Sequence, residues 1–394
     1  MDIHSMVMVL ISWLAVTEAQ TSEALKSVIT SNDEFSKHLY GAIVSNYQHE
    51  NLICSPSSVH TVLSMLVFGA HGFTETSQKL RKNLRLPADV RKLTYGLKEY
   101  VATLSNVANV DLRVANTIFV SNEYTIRQDY IKLIKIIFKV EPYNIDVSDS
   151  VKSAKTINKW VADKTNHKIQ ELVNSDNINE GTCMILANAI YFNGNWKNSF
   201  DPSETKDQVF YVSDRQKVMV PTMYREGFYV TGDIPCLGAE YVKIPYKNTS
   251  MSMIIIMSNG KGHLQSIEKN IGNCQEPYNF KGQESQISLY LPKFKVESTI
   301  DLSTPLRKLG LSHLFSTPDL SFISNEPLYI TDMIQKVIIK VNERGSEAIA
   351  DTYLSLSFRM FSQPTTIRVD KPFYFLIKYE EITLFQGHVL NPQN

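Results

Sequence analysis

The 394 residues carry 40 basic and 40 acidic side chains and are 43% hydrophobic, the composition of a globular protein with a sizeable core. That balance excludes disordered and collagen-like chains and gives no reason to expect nucleic acid, a membrane surface or a polyanion as an obligatory partner. Cys54, Cys183, Cys236 and Cys274 are too scattered for a disulfide-dense scaffold or a Cys-x-x-Cys metal or redox centre.

The uncharged apolar run Met6 to Val16 is followed by Thr17-Glu18-Ala19. It is too short to span a bilayer and has the length of a secretory signal core, with small residues suited to cleavage after Ala19, although Asp2 and His4 stand where Lys or Arg is usual. Residues 1–19 are therefore expected to be a signal peptide and the product to be secreted and extracellular. No repeat, low-complexity tract or Pro/Gly/Ser-rich linker divides the remainder, so 20–394 is expected to be one domain. Asn248 heads the only Asn-x-Ser/Thr sequon and becomes a glycosylation candidate. No other apolar run is long enough to cross a membrane.

In chain order, apolar residues at Phe35, Leu39, Ile43 and Val44 predict a helix over Ser31 to Tyr47. Ser55-Pro56-Ser57 opens a second helix, through Val59, Leu63, Leu66 and Val67, that stops near Gly69. A further helix around Tyr95 to Leu104 precedes a strand at Val114 to Val120. Beyond Leu172 the texture changes, and Cys183 to Phe192, Val218 to Met223, Tyr241 to Tyr246, Ser252 to Met257, Ile287 to Phe294, Val337 to Val341 and Tyr374 to Tyr379 all read as strands. Near-continuous apolarity marks several of these as central strands of a large sheet. Helices first and strands later predict an α+β architecture. Cys54 and Cys183 lie in apolar runs and are expected to be inert buried thiols. Cys236 and Cys274 lie in more polar stretches and are either free or paired.

An enzyme needs a catalytic constellation, and none of the searched motifs occurs: no Gly-x-Ser-x-Gly elbow, Walker loop, His-Glu-x-x-His, dinucleotide fingerprint or metal-spaced Cys/His group. No enzymatic activity, cofactor or metal is expected. His38, His49, His60, His71, His167, His263, His313 and His388 stand apart and read as structural or solvated. Glu380-Glu381 reads as a solvated turn between two strands. Arg81, Lys82 and Arg85 read first as a charged helix face, and a polyanion site there is the lesser reading.

The stretch Glu343 to Met360 is the most informative. Extended, it alternates two faces: Ser346, Ala348, Ala350, Thr352, Leu354 and Leu356 on one, and Glu347, Ile349, Asp351, Tyr353, Ser355 and Ser357 on the other. The small-then-aliphatic face suits a strand slid under a tight layer, with the mostly polar face in water. Arg359 follows just beyond.

Motifs in order along the chain resemble the serpin family: Asn51 to Ser58, Gly69 to Thr74, Val114 to Phe119, Ile157 to Val161, Leu186 to Trp196 with Phe200 and Thr205, Val218 to Met223, Leu291 to Phe294, Leu309-Gly310, Val341 to Ala348, Asp370 to Phe373 and Leu384 to Gly387. The resemblance covers roughly Phe35 to Pro392. It implies a fold of three β-sheets with eight or nine helices and an exposed reactive-centre loop, about 343–366, that a protease takes for substrate. It also implies the mechanism: the protease is acylated at the scissile bond, the loop inserts into the central sheet, and the trapped enzyme is distorted. Counting a dozen residues gaining ladder bonds on both sides gives about 10–20 kcal/mol for insertion.

By the same resemblance Glu343, Gly345, Ser346, Glu347, Ala348, Ala350 and Thr352 form the hinge of an inhibitory member. Ile349, Asp351 and Tyr353 depart from the family's Ala-rich run but fall on the outward face. Trp196, Ser55, Ser58 and Asn188 match the breach and shutter around the central sheet, with Gln335 standing where the family often has His. Gln both donates and accepts, so a substitute hydrogen bond is available. His167 replaces a usual glycine, costing about 1 kcal/mol if φ is positive there.

The family spacing from Gly345 puts the scissile bond between Arg359 and Met360, which suits trypsin-like serine proteases as covalent partners. The expected product is a monomeric, secreted protease inhibitor. A non-inhibitory carrier, storage protein or chaperone, and a cross-class inhibitor of papain-like cysteine proteases, are the alternatives.

Overall fold

In the computed structural model, residues 18–70, 72, 74–105, 107–248, 250–260, 263–274, 280, 282–344 and 364–394 are described. Helix α1 (Glu18–Val44) turns Val28, Phe35, Leu39, Tyr40 and Ile43 into the core. After β1 (Leu52–Cys54), Pro56 starts α2 (Pro56–Gly69), a helix whose every residue except Phe68 is buried, the polar Ser57, Ser58, His60, Thr61 and Ser64 included. Then come α3 (Glu75–Asn83), N-capped by the Thr74 side chain, and α4 (Val90–Ser105). A Cβ on Gly96 would sit 2.5 Å from the Ala24 carbonyl oxygen, so glycine is what lets α4 press against α1.

The chain continues through β2 (Val110–Ser121), α5 (Gln128–Phe138), β3 (Tyr143–Ile145), α6 (Ser150–Lys164) and β4 (Met184–Gly194). Next are β5 (Lys206–Tyr211), β6 (Lys217–Ile234), β7 (Ala239–Pro245), β8 (Met251–Ser258), α7 (Leu264–Ile271), β9 (Gln283–Pro292), β10 (Phe294–Asp301) and α8 (Ser303–Leu306). Finally come β11 (Asp332–Val341), β12 (Thr365–Arg368), β13 (Phe373–Tyr379) and β14 (Ile382–Val389).

One sheet has five strands, ordered β10-β11-β4-β2-β3. The other nine form a continuous ladder, β1-β14-β13-β8-β7-β6-β9-β12, with β5 also on β6. The second and third sheets of the expected α+β, three-sheet fold are joined through the 18-residue β6, which pairs first with β5, then β9, then β7. Among the described residues there are eight α-helices. The main core fills the space between the sheets and the helices α1 and α2, and a smaller one lies between α6 and the five-stranded sheet.

Several details differ from expectation. α1 begins at Glu18 rather than Ser31, because Ala24 and Val28 are covered by α4, a contact no local periodicity reveals. The cleavage position expected after Ala19 thus falls in the first turn of α1, and residues 1–17 lie outside the described residues. Strands β3, β5 and β12 are short and partly polar, which hid them. Cys236 and Cys274 form a disulfide with Cα atoms 5.8 Å apart, resolving the open alternative. Cys54 and Cys183 are free and buried, and burial pushes the Cys54 thiol up to about 12.

His167 does sit at φ +57°, where the family's glycine would be unstrained. Glu380 makes the β13–β14 turn at φ +51°. Arg81 donates to the Pro87 carbonyl rather than standing free on the face of α3. Among the described residues, no helix is long and apolar enough to cross a membrane and no metal-ligating cluster occurs.

His60, on α2, is fully buried with only the Leu84 carbonyl 3.2 Å from Nε2, and burial lowers its pKa to about 4. The unfolded chain, titrating near 6.5, therefore binds a proton that the folded one refuses. Stability falls as pH drops from about 6.5 to 4, by about 3 kcal/mol in total. Urea titrations across that window should show His60→Gln flattening this acid limb. An unchanged slope would mean that His60 is not its source.

Candidate functional site

The site begins with a seam. β11 and β4 run parallel through eight consecutive rows, Asp332 opposite Ile185 to Ile339 opposite Phe192. Their outer neighbours, β10 and β2, are both antiparallel to them. The outward face of the seam is roofed by α6 and the segment after it, where Ile169, Leu172 and Val173 pack over Ala187, Ala189 and Ile338. Asn158 pins that segment, its Oδ1 accepting from the N–H groups of Leu172 and Val173 and its Nδ2 donating to the Val173 carbonyl.

Beneath the seam the register aligns three polar residues in one row, Gln335 beside Asn188 beside Asn116. Gln335 Nε2 donates to Asn188 Oδ1 at 2.6 Å, and Asn188 Nδ2 donates to Asn116 Oδ1 at 2.7 Å. Ser58 Oγ donates to the same Asn116 oxygen at 2.7 Å. Gln335 also closes a two-bond clamp on the N-terminus of α2, accepting from the Ser55 N–H at 2.9 Å and donating to the Ser55 carbonyl at 3.0 Å. Ser55 Oγ donates to the Leu384 carbonyl of β14. Gln335 and Asn188 are both wholly buried, so each of these bonds replaces water that is not there.

At the top of the seam β11 ends at Val341 and the next residues are gripped. Trp196 Nε1 donates to the Asn342 carbonyl at 2.8 Å, and its ring stacks on Tyr246 at 4.5 Å. The Glu343 carbonyl accepts from the Phe200 N–H. Its carboxylate meets Lys293 Nζ at 2.9 Å and Thr205 Oγ1 at 3.0 Å. Burial pushes the Glu343 carboxyl up, but the hydrogen bonds from Lys293, the backbone and Thr205 outweigh it, leaving it below the usual range.

The structure thus brings together Ser55, Ser58, Asn188 and Gln335 in one network, and Trp196 with Glu343 in another. Gly345, Ser346, Glu347, Ala348, Ala350, Thr352, Arg359 and Met360 lie outside the described residues. Asn248 lies two residues beyond Tyr246, with Nδ2 donating to the Ala108 carbonyl at 2.9 Å. Sequence reasoning missed Asn116, Lys293 and Thr205. The signal for Asn116 was present, since a buried amide inside the apolar run of β2 needs a partner. Nothing local marks Lys293 or Thr205 as partners of Glu343.

Gln335→Ala would strand the Ser55 N–H and the Asn188 side chain in a dry site, costing about 3 kcal/mol, and Gln335→His should restore part of it. Chemical denaturation of the three proteins measures this, and an alanine variant as stable as the parent would mean that the network contributes nothing.

A family model described as Serpin (serine protease inhibitor) matches residues 30–392. Alaserpin of Manduca sexta is 32% identical over 98% of this chain and 99% of its own length. Neuroserpin of Gallus gallus is 32% identical over 91% of this chain and 90% of its own. The crystal structure of Serpin48 from Tenebrio molitor superposes with a TM-score of 0.84 at 32% identity, covering 93% of this chain and 98% of that one. Matched in sequence along nearly its whole length and in the arrangement of its sheets and helices, the chain belongs to the serpin family.

Proposed function

We propose that this serpin is a secreted, single-use inhibitor of trypsin-like serine proteases, which it traps by offering the Arg359–Met360 bond. The observation that carries this reading is the parallel seam. A strand that turns back from the end of β11 runs antiparallel to β11 and therefore to β4 as well, so the slot between them accepts it with full ladder bonds on both sides. Serpin loop insertion is itself a known case of such strand addition. The residues that follow Glu343 are built for it: Ser346, Ala348, Ala350 and Thr352 share the face to be buried, and Asp351 points the other way.

The protease serine attacks the Arg359 carbonyl, the bond to Met360 breaks, Met360 leaves as a free amine, and Arg359 stays esterified to the enzyme. Release of the C-terminal tether lets the hinge slide into the seam and carry the acylated protease along. Because β4 and β11 already share eight rows, insertion replaces one ladder with two. The net hydrogen-bond gain is one ladder, about 8 kcal/mol at about 1 kcal/mol per bond, less than the count from the loop alone. Burial of the aliphatic end, Leu354 and Leu356, adds about 2 kcal/mol for each side chain fully covered. In this reading Ser55, Ser58, Asn188 and Gln335 hold the strands that must part, and Trp196 and Glu343 keep the hinge outside until cleavage.

Relatives named Antitrypsin and Antichymotrypsin-2, both of Bombyx mori, differ in the protease their names imply, so specificity here is read from Arg359, whose guanidinium suits a carboxylate-bearing pocket. The Cys236–Cys274 disulfide supports an oxidising, extracytoplasmic destination. Asn248 is the glycan acceptor in this reading, and modification would replace its bond to Ala108.

Mixing the mature chain with trypsin should give a complex that survives boiling in SDS, with Met360 as the new N-terminus. Cleavage after Arg359 without such a complex would make the chain a substrate and overturn the reading. Ala350→Arg should be cleaved at the same bond without trapping, because insertion would bury its charge.

A further inference from the structure

The half of β2 nearer the top of the seam is a free edge. Toward β4 its register runs without a shift from Val110 opposite Gly194 to Val120 opposite Met184, but on the other side β3 covers only Phe119 to Ser121. The Ser121 N–H donates toward β4, to the Cys183 carbonyl, and the Asn122 N–H donates the other way, to the Ile145 carbonyl. Backbone groups alternate between the two edges of an antiparallel strand. Leu112, Val114 and Asn116 therefore turn N–H and C=O away from β4, and no backbone group among the described residues pairs with them there. Neither a proline nor a bulge, the common protections of a free edge, interrupts this stretch.

A cavity of about 330 Å³ runs along that edge. The Asn116 side chain points beneath the sheet, to Ser58, and side chains two apart share a face, so Val114 points the same way, yet it is 41% exposed. Met65, Val101, Leu104 and Phe138 form the apolar wall below it. Arg113 points to the opposite face, and Trp160 and Lys164 of α6 reach the cavity there. All the charge lining the cavity is positive, from Arg113, Lys139 and Lys164. Arg113 is paired with Asp111, whereas Lys139 and Lys164 have no carboxylate partner among the described residues. Trp160 Nε1 is buried with no acceptor among them.

We infer that the free edge of β2 binds an extended segment of a partner protein in which apolar and acidic residues alternate. Leu112, Val114 and Asn116 supply the ladder bonds, as in other cases of strand addition. The apolar residues of the added strand enter the cavity beneath the sheet. Its acidic residues fall on the outer face, where Arg113, Lys164 and the Trp160 N–H meet them. A small amphiphilic anion would fill the cavity but leave the backbone groups of the edge unpaired, so the edge favours a peptide. Neither Arg359 nor loop insertion takes part in this contact.

Fluorescence polarisation with the full chain and a labelled Val-Glu-Leu-Glu-Val-Glu peptide tests it. That peptide should bind at least about tenfold more tightly than the scrambled Val-Leu-Val-Glu-Glu-Glu, which has lost the alternation. N-methylation of one alternate set of its amides should abolish binding, and of the other set should not, because a strand offers only one edge to β2. Val114→Pro removes a donor that faces away from β4, and Lys164→Glu reverses a rim charge; each should weaken binding about fivefold. Equal affinity for the alternating and scrambled peptides, or for the two methylated sets, would overturn strand addition. Laurate that binds where the peptide does not would assign the cavity to a small amphiphile and overturn it too. A parent that elutes as a dimer, and a Val114→Pro chain that elutes as a monomer, would assign the edge to a second copy instead.

Discussion

Everything distinctive about this molecule depends on β4 and β11 lying side by side and parallel, each with an antiparallel partner, β2 or β10, on its other side. Parallel ladders are slightly weaker per residue than antiparallel ones, so this seam is held less firmly by its ladder than the pairs that flank it. The polar row Gln335, Asn188 and Asn116, clamped to Ser55 and Ser58, spans the seam between the two strands. A hydrophobic row there would hold the sheet by packing that any displacement erodes gradually. A hydrogen-bonded row in a dry site is held until its bonds break together, since each stranded partner then carries the full cost of desolvation.

The two ends of the seam are controlled differently. At the top, Glu343 is fixed by a charged partner, Lys293, and by the Phe200 N–H, interactions that break without disturbing the core. On the outer face, α6 and the segment pinned by Asn158 form a small hydrophobic core of their own over the strands. In the proposed reading, a strand entering from the top would meet electrostatic holding first and packing resistance second. That order would favour a chain that stays uninserted until its tether is cut.

Much of this was legible in the sequence, and the reasons are physical. The small-residue alternation after Gly345 lies outside the described residues, whereas α2 was announced by Ser55-Pro56 and the apolar spacing of Val59, Leu63, Leu66 and Val67. Ser55, Ser58, Asn188 and Gln335, singled out by resemblance, meet in one network, in which Gln335 makes three hydrogen bonds. What was hidden depends on register and on distant partners. Asn116 joins the network only because β2 pairs with β4 in one particular alignment. Lys293 reaches Glu343 from a strand remote in sequence. The early start of α1 depends on Gly96 letting α4 approach, a contact across more than seventy positions.

The position of the last three strands has a consequence for the life of the cleaved molecule. β13 lies inside the nine-stranded sheet between β8 and β14, and β14 is itself covered by β1, which approaches so closely that a Cβ on Gly387 would fall 2.1 Å from the Leu52 carbonyl oxygen. A cut at Arg359 would therefore divide the covalent chain without releasing a piece of it. The product would travel as two polypeptides with a shared interior, a single particle inseparable short of denaturation.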